Sequence, residues 1–430
     1  MPIEDADNTR KISRHEKKLN GGAASGEACP EFSGAAFFAD PYPTYAEIRS
    51  RNVPTFEPIS KTWLMTRYAD VDAILRDSRI SKKVHRETLT PFEISVLFQD
   101  PPDHRNTRGI LNRAFSGNAM LGIEDRILRA VDGLIDKMLT RRTADFISDF
   151  ALPLPLAVIV ELLGIPQEDA DELHQLSGVF IADETIPEEE NWRRQGLSLD
   201  ALKQYFERLI ESRRNDLRPD IVSSLTEDHL RGMLSHEQLI ANCIFLLVAG
   251  HESTVNLLGN GLYLLLRNPD QLALLKRQPD LWPTAIEEML RFESPVQLST
   301  VRVTTAPVEY SCGTLEVGSP VTAVLGAANR DPEKFPEPDK FDVTRSPNRH
   351  VAFSMGLHHC TGASLARLEA QIAFSRLFER LPDLSLHNGP QQNPLSRLLS
   401  RISRQERVPS APVWRRNSLL RGLRHLQISW

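Results

Sequence analysis

The apolar pattern of the chain predicts a fold that is mainly α with a small β-rich part. Residues 121–217 carry apolar side chains at helical spacing almost throughout. The run Leu239-Ile-Ala-Asn-Cys-Ile-Phe-Leu-Leu-Val-Ala-Gly250 is too long and too apolar for a surface helix, so it belongs to one that runs through the interior. Strand-like runs are short and few: Trp63-Leu-Met-Thr-Arg-Tyr, Gln297-Leu-Ser-Thr-Val-Arg302-Val-Thr and residues 308–324.

The chain has 430 residues and a formal net charge of −6. That length accommodates two or three ordinary domains or one large domain with room for a bulky cofactor, and the lack of an obvious linker favours one, over residues 37–430. The small negative charge disfavours a nucleic-acid partner. Residues 1–36 are polar and mixed in charge, which predicts a disordered leader with neither a signal core nor a membrane anchor, and hence a cytoplasmic protein. Cys29, Cys243, Cys312 and Cys360 are scattered and make no disulfide framework.

In chain order, Asp40-Pro-Tyr-Pro-Thr-Tyr-Ala-Glu-Ile-Arg49 reads as a turn and a helix entered through proline. A strand at Trp63 and a helix at Ala69-Asp-Val-Asp-Ala-Ile-Leu-Arg76 follow, then residues 80–99, which lack sustained periodicity. Asp100-Pro-Pro-Asp103 is a helix-start signal, after which His104 and Arg108 fall on one face one turn apart. Such a pair suits carboxylate binding, or is simply a solvated basic face. The acidic residues 183–190 read as an exposed loop.

The interior helix is interrupted by Gly250-His-Glu252-Ser253-Thr254, polar groups that cost free energy in a buried helix unless they have partners or a task. Glu288 and Arg291 fall three apart on the next helix, a spacing worth about 0.2–0.5 kcal/mol on a surface. In the strand that follows, Arg302 shares its side with Leu298 and Thr300. Residues 308–324 predict two strands joined through glycines.

The stretch Phe353-Ser-Met-Gly356-Leu-His358-His359-Cys360-Thr-Gly362 then leads directly into a helix. Unpaired amides and the positive helix end favour a thiolate at Cys360, and glycine lets the backbone approach a flat ligand. Taken alone, Cys360 is as well read as a small buried hydrophobe. No Cys-x-x-Cys or histidine pair at zinc spacing accompanies it, and Cys-x-x-Cys-His, the covalent haem motif, is absent.

The spacing Phe-x-x-Gly-x-His-x-Cys-x-Gly resembles the haem-binding loop of the cytochromes P450. The resemblance implies that fold, haem b as cofactor, Cys360 as the iron's thiolate ligand, and Phe353, Gly356, His358 and Gly362 as its bed. His104, Arg108 and Arg302 match the family's propionate-binding positions. Ala249-Gly250-His-Glu252-Ser253 resembles the oxygen-activating kink, with Glu252 relaying protons, Ser253 in place of the usual threonine, Thr254 sharing its role and Ala249 against the haem. Glu288, Arg291 and Arg330 resemble the family's structural Glu-Arg-Arg network. Phe245, Val248, Ala249, Leu298, Thr300, Leu419 and Leu420 occupy positions that approach substrate in relatives. Residues 387–412 are a longer and more basic insertion than the family pattern has.

The implied reaction is insertion of one atom of O2 into a hydrophobic small molecule. Its electrons come from NAD(P)H through a ferredoxin or flavodoxin and a reductase, the enzyme acting as a monomer; Arg105, Arg113 and Arg367 are candidates for the docking face. Competing readings are a peroxide-driven variant, which would lack the acid and hydroxyl pair, a dehydratase or isomerase needing no reductant, and a non-catalytic haem sensor.

Overall fold

The computed structural model describes residues 30, 32, 34–83, 89–181, 186–311, 313–387 and 412–430. Most of residues 1–36, part of the acidic loop and nearly all of the 387–412 insertion lie outside the described residues. The chain is mainly α with small sheets, as its apolar pattern predicts.

The helix His236–Arg267 is the axis of the molecule. Its start is fixed by reciprocal bonds: Ser235 Oγ accepts from the Gln238 amide, and Gln238 Oε1 accepts from the Ser235 amide, each at 3.0 Å. By length and composition this helix could cross a membrane, but 72% of its most apolar window is buried inside the fold, so the apolar run is spent on neighbouring helices. Chief among them are Pro153–Leu163, Pro91–Ile94 and Glu188–Arg213, with Trp282–Phe292 and Ala363–Arg380 also packed against it. At Gly250 the crossing is close enough to exclude a side chain, since a Cβ would stand 2.6 Å from Ile159 Cγ1.

The β-rich part is assembled from distant pieces. Its five-stranded sheet runs Thr55–Glu57, Thr62–Met65, Pro320–Ala323, Arg302–Thr304, Ile80–Ser81, with Thr62–Met65 parallel to Pro320–Ala323. Residues 308–324 make three strands rather than two. Val308–Tyr310 and Gly313–Leu315 form a hairpin of their own. The amides of Gly318 and Ser319 then donate to Thr304 O and Oγ1, turning the chain so that Pro320–Ala323 pairs alongside Arg302–Thr304.

Two further boundaries differ from expectation. The first helix starts at Ala35, and Phe32 packs with Phe37 and Tyr45 in a buried aromatic cluster, so apolar contacts begin before residue 37. Asp100 does not cap the helix Asp103–Ser116; its carboxylate instead accepts from Ser81 Oγ and the Lys82 amide, tying that helix start to the sheet edge.

Glu288 and Arg291 are not on the surface at all. Both are 0% exposed, and Arg291 grips Glu288 through two bonds of 2.7 and 2.8 Å. The second arginine on Glu288 is Arg345, at 3.2 Å, and not Arg330. Arg330 is drawn elsewhere: its guanidinium lies 3.4 Å from the Phe292 ring centroid and 4.1 Å from that of Tyr42, and it donates to Phe292 O and Asp339.

Candidate active site

The loop before the helix Ala363–Arg380 is held in shape by backbone. The Cys360 amide donates to Phe353 O at 3.0 Å, and Gly356 has φ +69°. A Cβ at Gly356 would stand 2.5 Å from Leu75 O, so both backbone conformation and packing require glycine there. At Gly362, the residue before the helix, a Cβ would meet nothing within 4 Å, leaving an open approach beside the sulfur.

Cys360 has accessible surface, with protein packed around its thiol. Burial raises its thiol pKa, while the Gly362 backbone, Arg108 and Arg367 act in the opposite direction and do not prevail. The helix start alone therefore does not deliver a thiolate. A cation at the sulfur would, because a coordinating thiol loses its proton outright.

Around this loop the fold gathers buried basic side chains with few anions among the described residues. His104 is 1% exposed with no partner at either ring nitrogen, and its ring lies 4.3 Å from that of His358. Arg302 is buried with Nε unpartnered, and Lys82 is buried close by. Desolvation lowers Arg302 to about 10 against the pull of Asp100, and lowers His104 to about 4 with help from Arg108 and Lys82. Lys82 falls well below its ordinary value, through burial first and Arg302 second. His358 is pushed down by burial and then by Lys82. Among the described residues, Asp100 is the one carboxylate acting on Lys82, His104 and Arg302 alike. Orphaned donors around a single acid fit a doubly anionic ligand, and haem propionates beside an axial sulfur are such a ligand. Arg108 donates to His359 O and to Asn112 at 3.1 Å, so it braces the cysteine loop.

On the interior helix, Phe245, Ala249 and Ser253 are spaced four apart and share one face. Ala249 is exposed within the fold, and Phe245 and Ser253 are half-buried. Val248 and Thr254, each about 100° off that face by helical geometry, are buried in the core instead. Neither opens on the face of Ser253.

Glu252 is 3% exposed, and its Oε2 accepts from Arg415 Nη1 at 3.0 Å. Above Phe245 lies an aromatic cluster. Phe92 is 6.0 Å from Phe245 and from Phe98, and stacks at 5.9 Å on Phe180. Phe92 is set there by a capping box between Thr90 and Glu93. Leu298 is half-buried against the N-terminal aromatic cluster, and Thr300 Oγ1 is buried without a partner. Leu420 is buried and bridges Val296, whereas Leu419 is exposed.

Of the basic residues considered for a docking face, Arg105 is exposed, Arg113 pairs with Asp228 at 3.3 Å, and Arg367 is engaged. Arg367 binds Glu287 through two bonds of 2.6 and 2.8 Å and lies over the Phe353 ring. Lys82, Arg345, Arg415, Phe92 and Phe180 carry no motif of their own in the sequence; each becomes significant only through contacts with residues far along the chain.

The family model for cytochrome P450 matches residues 171–277 and 280–406. The chain is 41% identical to "Cytochrome P450 107B1" of Saccharopolyspora erythraea, covering 83% of this chain and 91% of that one. It is 38% identical to the "Vitamin D(3) 25-hydroxylase" of Pseudonocardia autotrophica, covering 93% and 95%. Among solved structures, P450BioI in complex with hexadec-9Z-enoic acid ligated acyl carrier protein superposes with a TM-score of 0.81 at 34% identity, over 92% of this chain and 99% of that one. The chain belongs to the cytochrome P450 family and is an enzyme of its monooxygenase class.

Proposed function

We propose that this enzyme inserts one atom of O2 into an apolar small molecule, hydroxylating a C–H bond or epoxidising a double bond, with two electrons from NAD(P)H. A ferredoxin or flavodoxin with its reductase carries those electrons to the chain in the cytoplasm. When bound, haem supplies the activation of O2 and the transfer of one oxygen atom, the other leaving as water.

Cys360 would bind the iron through its sulfur, and Phe353, Gly356, His358 and Gly362 would form the loop that holds the cofactor around it. His104 and Arg302 bind propionates, joined by Lys82, while Arg108 holds the loop. Ala249 leaves room on the opposite face, Ser253 offers the hydroxyl there, and Glu252 supplies it with protons. Phe245, Phe92 and Phe180 give the substrate an apolar wall, which suits a fatty acyl chain or a polycyclic lipid better than a polar molecule.

The observation that carries this reading is the buried cation cluster lying beside an accessible cysteine. Its test is turnover of fatty acids and sterols with NAD(P)H, ferredoxin and reductase. Oxygenated product that carries label from 18O2 and requires the reductant supports the reading. Product formed without reductant, or label from water, contradicts it and points to a dehydratase or isomerase.

A further inference from the structure

Glu252 belongs to a longer series of ionisable groups. Among the described residues, His174, His251 and Glu252 each bring one such atom within 4.8 Å of the others. His174, on the helix Ala170–Gly178, places Nδ1 3.3 Å from His251 Nε2, which in turn lies 3.7 Å from Glu252 Oε1. His251 is fully buried, and His174 at the outer end is half-buried.

The chemistry of His251 follows from its other nitrogen. Nδ1 lies 2.9 Å from Leu247 O, and a carbonyl only accepts. Neutral His251 therefore carries its proton at Nδ1 and presents a lone pair at Nε2. That one atom can take a proton from His174 and give it to Glu252 without a ring flip. Arg415 occupies Oε2 of the carboxylate, so Oε1 is the side left to receive.

We propose that His174 and His251 form a proton path from solvent to Glu252. A proton from water binds His174 at Nε2, and the Nδ1 proton passes to His251 Nε2. The resulting imidazolium attracts the carboxylate, closes the 3.7 Å to hydrogen-bond distance and gives that proton to Glu252 Oε1, which returns His251 to its Nδ1–H form. His174 resets by exchanging its proton position with solvent. One proton enters and one arrives, with no electron moved.

Burial lowers the pKa of His251, against the pull of Glu252 on its own helix, so the ring is charged only in passing; His174 from the neighbouring helix and Arg415 from the C-terminal segment lower it further. A metal ion is the competing occupant of three such ligands, and the Arg415 guanidinium on the same carboxylate opposes a second cation there. Both histidines are positioning residues for Glu252. The inference rests on the monooxygenase reading, in which Glu252 serves Ser253.

The test uses the haem-loaded full chain. In its diamagnetic ferrous carbon monoxide form with 15N-labelled histidine, His251 should show a protonated Nδ1 and a hydrogen-bonded, unprotonated Nε2. His174→Phe should shift that Nε2 resonance to the position of an unbonded nitrogen. In turnover, His174→Phe should cut product formed per NAD(P)H by on the order of tenfold and raise the solvent deuterium isotope effect. His174→Asp, which still carries a proton, should restore part of both. A His251 protonated at Nε2, a stoichiometric metal besides iron, or a His174→Phe variant with parental coupling and isotope effect would each overturn the proposal. An unaltered chain that binds haem but forms no oxygenated product with any reductant overturns the reaction reading instead, and leaves the NMR result standing on its own.

Discussion

Arg302 Nε and both ring nitrogens of His104 are buried without a partner among the described residues, and Lys82 is buried near them, so a ligand's negative charge there would repay desolvation. A hydrogen bond to a charged group contributes about 1.5–3 kcal/mol. Removing one propionate partner by Arg302→Ala should therefore weaken haem retention by about ten- to a hundredfold, read as the haem-to-protein ratio after transfer to apomyoglobin. Unchanged retention would detach Arg302 from the cofactor. Ser253 keeps the hydroxyl of the usual threonine without the methyl that restricts its rotamer. Ser253→Thr is expected to raise product formed per reductant consumed and lower peroxide release, whereas Ser253→Ala should do the reverse.

Glu287 is a second residue whose surroundings yield a test. Desolvation would raise its pKa, but the bonds from Arg367 and His350 outweigh it and hold the carboxyl at about 2. A carboxylate depressed on folding contributes stability above its ordinary pKa, and that contribution is lost as pH falls toward its folded value. The native chain should thus lose stability between about pH 4.5 and pH 2, and Glu287→Gln should flatten that part of the curve. Denaturant midpoints measured across this window in both proteins decide it.

Among the elements, the interior helix and its neighbours set the tolerances. Gly250 faces Ile159 so closely that Gly250→Ala should destabilise by about 1–3 kcal/mol through overpacking. Adding Ile159→Ala should recover part of the loss, a coupling visible in a double-mutant cycle. Losses that simply add would mean the helices do not touch there. The buried Glu288–Arg291 pair is more demanding: Arg291→Ala takes two bonds from a carboxylate at 0% exposure, leaving it to Arg345, and should cost about 3 kcal/mol.

How far the sequence was readable follows from the range of each contact. The cysteine loop was legible because Phe353, Gly356, Cys360 and Gly362 are local neighbours with one backbone task. The interior helix was legible because its apolar run outlasts any surface helix. Arg345 was missed because it reaches Glu288 across 57 residues, while Arg330, adjacent to the expected motif, stacks on Phe292 instead. Arg415 was missed for the same reason, lying 163 residues from Glu252. The placement of Thr254 was not legible, because a single residue step turns a helical side chain by about 100°, and it packs into the core while Ser253 is half-buried.

At the scale of the whole molecule, two layers meet over one cysteine. The N-terminal strand Thr62–Met65 pairs in parallel with Pro320–Ala323, and the strand Arg302–Thr304 beside it carries one of the buried cations. The interior helix carries Ala249 exposed and Ser253 half-buried on one face, with Glu252 3.7 Å from His251 and His251 3.3 Å from His174. Ligand, acid and apolar wall thus come from segments that only the complete fold brings together, which is why no single motif describes the site.

The most direct test of that arrangement is the absorption spectrum of the reduced chain under carbon monoxide. The unaltered protein should bind haem and show the red-shifted Soret band of a thiolate-ligated complex, and Cys360→Ser should lose that band. A variant that keeps it, or an unaltered chain that takes up no haem, would contradict the assignment of Cys360 as the ligand.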